Sequence, residues 1–130
     1  MNLQDATTQA NEFDWTITPE KVDRAVRQIV DIARPLRVVA FGSWARGQNG
    51  PDSDVDLAVI LDDKSDVEAA QFLRGKLTDI AMPMDILSVQ LERFERFRHS
   101  VNSVHYDIDH EGVVLYERGV HGSSGRAVAA

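Results

Sequence analysis

The apolar run from Leu36 to Phe41 is closed by Pro35 on one side and Gly42 on the other. A short segment between two breakers, apolar except for Arg37, reads as a buried strand. Behind it comes a turn-rich stretch from Gly42 to Ser53, containing Gly47, Asn49, Gly50 and Pro51. A second strand is predicted from Asp54 to about Leu61. Side chains alternate along a strand, so Val55, Leu57, Val59 and Leu61 share one face. Asp54 and Asp56 then share the other.

The remaining pattern builds outward from these two strands. Thr18-Pro19 opens a helix, with Thr18 as N-cap and Pro19 at the first helical position. Val22, Val26, Ile29, Val30 and Ala33 give it an apolar stripe, and Pro35 stops it. Ser65-Asp66-Val67-Glu68 fits a capping box ahead of a helix that carries Val67, Ala70, Leu73, Leu77 and Ile80. Pro83 precedes a third strand, Met84–Leu87. Ser88 is read as the cap of a further helix with Leu91, Phe94 and Phe97 as its apolar contacts. Residues 100–110 are helical or irregular, and Gly112 precedes a last strand, Val113–Tyr116. This order implies an α/β (α+β) domain: a small mixed sheet with helices packed on it. The expected organisation is a loose lead-in over 1–17, a domain over 18–118 and a disordered tail over 119–130.

The 130 residues suit one core. The formal net charge is −7, which disfavours a broad basic face for nucleic acid. The absence of cysteine excludes disulfides, thiolate zinc sites and a cysteine nucleophile. No apolar run approaches a membrane span, and the first residues lack the signature of a signal peptide. The expected compartment is the cytoplasm.

Two carboxylates on one strand face repel each other, and burying them unpaired is costly. A shared divalent cation relieves both problems. Oxygen donors without nearby His or Cys suit Mg²⁺ or Mn²⁺ rather than zinc. Asp85 lies inside the otherwise apolar run Met82–Leu87, where a charge is unusual, and joins the set if the strands are neighbours. Gly42-Ser43 directly follows a buried strand. A turn there into a short helix offers backbone N–H groups to phosphate oxygens, with Ser43 as a hydroxyl donor and Arg46 as a forked cation.

The string from Gly42 to Leu57 contains Gly-Ser-Trp-Ala-Arg-Gly and then Ser-Asp-Val-Asp-Leu. Its pattern of Gly-Ser, ten residues and Asp-x-Asp resembles the signature of the DNA polymerase β-like nucleotidyltransferase superfamily. The fuller form is similar to that of the minimal nucleotidyltransferases, the MNT proteins, some of which are antitoxins paired with HEPN toxins. The resemblance spans roughly residues 20–117, including Asp85 and the closing Glu111–Tyr116. It implies transfer of AMP from ATP with two Mg²⁺ ions. Asp54, Asp56 and Asp85 are then catalytic metal ligands, and Gly42, Ser43, Arg46 and Ser53 hold the nucleotide.

The implied acceptor is a hydroxyl of a HEPN-type toxin encoded by an adjacent gene, held in a hetero-oligomeric complex. This reading rests on the bare catalytic core and the lack of a basic surface. Two alternatives stand beside it: an aminoglycoside-type nucleotidyltransferase, and an antitoxin acting by occlusion alone.

Other features take plainer readings. Asp107-Ile108-Asp109-His110, with His105 nearby, reads as solvated surface, with a metal contact as the secondary reading. Asp62-Asp63 reads as a loop. Arg93, Arg96 and Arg98 with Glu92 and Glu95 form a mixed-charge, solvated face. Trp15 and Trp44 are read as packing residues, with base stacking as the alternative.

Overall fold

The computed structural model describes residues 14–48 and 53–119. Much of the lead-in and nearly all of the expected tail lie outside the described residues, as do the turn residues Asn49–Asp52.

Helix α1 spans Pro19–Ala33. Thr18 is extended and its Oγ1 accepts a hydrogen bond from Lys21 N at 3.2 Å. The helix ends where Arg34 turns into the left-handed region, just ahead of Pro35. Strand β1 (Arg37–Phe41) leads directly into a one-turn helix, α2 (Gly42–Ala45). Strand β2 covers Val55–Leu61, so Asp54 stands immediately before the ladder.

Two short helices follow, α3 (Val67–Ala70) and α4 (Leu73–Lys76), in place of the single helix expected. Ala70, Leu73, Leu77 and Ile80 still reach the core across the break. The cap is Asp66 rather than Ser65: its carboxylate accepts from Ala69 N at 3.0 Å. Ser65 instead exchanges hydrogen bonds with Asp62. Asp62 is also bound by Arg118 at 2.6 Å, so it is more than a loop residue.

Strand β3 runs from Met84 to Gln90, longer than the pattern predicts. Ser88 does not cap a helix. It pairs with Val59, because β2 offers a partner along its whole length and the ladder continues to Leu61 and Gln90. Helix α5 (Leu91–Phe97) starts only there, with no side-chain cap. Helix α6 (Val104–Glu111) resolves the ambiguous stretch. Ser103 caps it by accepting from Tyr106 N at 3.1 Å. Strand β4 (Val113–Glu117) closes the described chain.

The sheet order is β3-β2-β1-β4. Strand β1 is antiparallel to β2 and β4, while β2 and β3 are parallel. The result is the small mixed sheet expected from the sequence. One face carries Val38, Ala40, Val55, Leu57, Val59 and Leu61 against α1, α3 and α4. The opposite face buries Val39, Ala58 and Ile60 with Phe94 of α5 and Ile108 of α6. Among the described residues no helix is long and apolar enough to cross a membrane.

Candidate active site

The site lies where β1 and β2 are joined and where β2 meets β3. Val55, Leu57 and Val59 turn into one core, so Asp56 projects from the opposite face, in line with Ala58 and Ile60. The parallel register sets Asp85 directly beside Asp56. Neighbouring strands run about 4.8 Å apart, so both side chains leave the same face as close neighbours. Pro83 O accepts a hydrogen bond from Val55 N at 2.9 Å, fixing the end of this ladder next to Asp54. Asp54 and Asp85 are exposed, whereas Asp56 is partly buried.

The electrostatics mark Asp56 as the strained member. Its carboxyl is held above the ordinary value of 3.8, first by burial, then by repulsion from Asp85 and Asp54, with Arg46 acting in the opposite sense. An acid raised in this way keeps its proton longer in the folded chain than in the unfolded one. Its contribution to stability is therefore most favourable below about 3.8 and declines as pH rises through the folded value. At neutral pH the charged group costs the metal-free protein stability. Asp56→Asn is expected to raise the metal-free Tm at pH 7 by on the order of a few degrees, with the gain vanishing near pH 3.8. Thermal melts across that range check it, and a lower Tm at pH 7 would contradict the repulsion.

Glycine at position 42 has a structural reason. Its φ is +78°, and a Cβ built there would meet Asp56 Oδ2 at 2.2 Å. The backbone at the start of α2 thus lies directly against the carboxylate. The first N–H groups of a helix have no partner within it, and those of α2 begin here. The turn behind is secured by Gln48 N donating to Ser43 O at 2.9 Å and Gly47 N donating to Trp44 O at 3.0 Å. Ser43 is half-buried, and Ser53 Oγ donates to Gln48 O at 3.1 Å, tying the two ends of the loop together. Trp44 packs on the core beside α1, which accords with the packing reading.

Two basic residues complete the surroundings. Arg46 pairs with Glu111 at 3.1 Å and reaches Gln48 at 3.4 Å. Arg74 of α4 donates to Asp85 Oδ1 at 2.6 Å. Sequence reasoning did not single out Arg74, because no spacing links it to a carboxylate eleven residues later on another element. The three carboxylates are drawn less tightly together than the His99, Asp109 and His110 group, whose donors all lie within 4.8 Å of one another. Arg74 already occupies one oxygen of Asp85. The donor set nevertheless fits a divalent cation: it is all oxygen, it carries excess negative charge, and its central carboxyl is held up by burial and then by that charge.

The chain is thus an α/β domain with Asp56 and Asp85 side by side on neighbouring strands of a mixed sheet, beside a glycine turn. The chain belongs to the polymerase beta nucleotidyltransferase family, whose match covers residues 27–119. Two solved structures are similar to it. One is a candidate nucleotidyltransferase from Sulfolobus solfataricus, with 16% identity, 91% of each chain covered and a TM-score of 0.47. The other is a toxin-antitoxin with AMP-PNP, with 20% identity, 87% of this chain and 82% of that one covered, and a TM-score of 0.44. No curated protein matches the chain.

Proposed function

We propose that this protein transfers AMP from ATP to a hydroxyl of a partner protein, acting as the antitoxin of a HEPN/MNT pair in the cytoplasm. The observation that carries the chemistry is the alignment of Asp56 and Asp85 across β2 and β3, with Gly42 pressed against Asp56. Family membership supports nucleotidyl transfer as the reaction class. The Gly-Ser-x-Ala-Arg-Gly and Ser-Asp-x-Asp-Leu strings support the MNT reading. The net charge of −7 argues for a protein acceptor over a nucleic acid.

Asp54, Asp56 and Asp85 are the residues that would hold Mg²⁺. Bound there, the ion would supply Lewis acidity to the phosphate oxygens and the attacking hydroxyl. The backbone at Gly42 and Ser43 grips the β- and γ-phosphates, assisted by the Ser43 hydroxyl. Arg46 leaves Glu111 to offset phosphate charge, and Ser53 keeps the loop closed beneath the nucleotide. Asp85 receives the proton of the acceptor hydroxyl at the oxygen that Arg74 does not hold. The hydroxyl oxygen bonds to the α-phosphorus, the bond to the β-phosphate oxygen breaks, and pyrophosphate leaves. Most of the rate comes from positioning and electrostatics.

The test mixes the full chain with α-labelled ATP, Mg²⁺ and the product of the adjacent gene. Label is expected on that protein, and none without Mg²⁺. Label on an added aminoglycoside alone would overturn the protein acceptor. Neutralisation of the partner with no label on anything would favour occlusion.

A further inference from the structure

We propose that His99, Asp109 and His110 form a second metal site, one that takes a zinc-class transition ion and is separate from the carboxylates of β2 and β3. Each of the three offers a donor atom, and these lie within 4.8 Å of one another. They come from two elements. His99 follows α5, and Asp109 and His110 occupy the last turn of α6. The connection folds back tightly: Asn102 has a φ of 78°, and Ser103 Oγ lies 3.0 Å from Phe97 O and 2.7 Å from Ser100 O.

Two of the donors are already aimed by their neighbours. Arg98 Nη2 donates to Asp109 Oδ1 at 2.8 Å, leaving Oδ2 available, and Oδ2 lies 3.5 Å from His110 Nδ1. His110 Nδ1 is 3.1 Å from Tyr106 O. A carbonyl oxygen can only accept, so Nδ1 carries the proton in this contact. This same Nδ1 is the nitrogen beside Asp109 Oδ2, so an ion there replaces the Tyr106 contact and the proton moves to Nε2, while stacking on Tyr106 at 3.9 Å holds the ring plane. Partners that hold the ring plane and the carboxylate in this way are the usual supporting shell of a metal site. His99 is exposed, so its ring can rotate to bring the donors to the roughly 3.3–3.6 Å separations set by metal bonds of about 2.0–2.2 Å. His105 stays apart from the group, packed on Phe97 with ring centroids 5.6 Å apart.

The donor chemistry selects the ion. Two imidazoles and one carboxylate suit zinc or a neighbouring first-row ion, whereas Mg²⁺ takes oxygen. Three protein ligands leave a fourth position for water. The next residue, Glu111, holds Arg46. An ion here pins the end of α6 that carries this partner of the glycine turn. Binding itself does not depend on the proposed transfer reaction.

The test uses the untagged full chain, stripped with chelator and kept in millimolar Mg²⁺. Zn²⁺ is titrated calorimetrically, and Co²⁺ serves as an absorbance probe of coordination. One ion per chain is expected, with affinity falling about tenfold or more in His99→Ala and in His110→Ala. The Asp54→Ala/Asp56→Ala chain should bind Zn²⁺ as the parent does. Both histidines are exposed, and far-ultraviolet circular dichroism confirms that the variants fold. Absence of binding, binding indifferent to both histidine substitutions, or binding lost with the two aspartates would overturn the proposal.

Discussion

Alanine at both Asp54 and Asp56 is expected to lower transfer of label from α-labelled ATP by at least about 10³-fold, equivalent to about 4 kcal/mol of barrier. These carboxylates flank one site, so their losses should not add: either single variant should cost nearly as much as the pair. The fold should survive. Asp54 is exposed and Asp56 is only partly buried. Removing both takes away a carboxyl that burial, and then repulsion from Asp85 and Asp54, hold above its ordinary value. The metal-free Tm at neutral pH should therefore stay level or rise. Initial rates at saturating ATP and Mg²⁺, with melts run in parallel, check both halves. Full labelling by a folded double variant would put the chemistry elsewhere in the molecule. A variant that no longer labels but still neutralises its partner in cells would mean that inhibition is by occlusion.

Local pattern carried the strands and the Asp-x-Asp pair, because alternation and breakers act over a few residues. Val55, Leu57, Val59 and Leu61 share a core face as the alternation requires. The neighbour relation between Asp56 and Asp85 could not be read the same way. It depends on the parallel register of β2 and β3, which are joined through α3 and α4. Ser88 shows the converse. Its capping chemistry suggested a helix start, but seven residues of β2 stood ready to pair and the strand continued through it. At Ser65-Asp66 two capping residues compete, and the serine is claimed by Asp62. Arg46 and Arg74 had no legible partners, since Glu111 and Asp85 reach them only through tertiary packing.

Gly42→Ala should damage both stability and transfer. Two costs coincide there. The φ of +78° is strained for any residue with a Cβ, at about 1–2 kcal/mol. The new methyl would also sit 2.2 Å from Asp56 Oδ2 and 3.2 Å from its Cγ. Gly47 separates the two effects, because its φ is likewise +78° but nothing lies within 4 Å of an added Cβ. Gly47→Ala should therefore lose stability on the order of 1 kcal/mol. Gly42→Ala should lose more, and transfer should fall by about 10²-fold as the carboxylate is pushed off the turn. The decisive comparison is Gly42→Ala in an Asp56→Ala background, where the colliding oxygens are gone. The stability cost should then shrink toward that of Gly47→Ala, a coupling of about 1 kcal/mol or more by denaturant unfolding. Equal costs in both backgrounds would show that backbone strain alone explains the glycine, and that its contact with Asp56 does not organise the site.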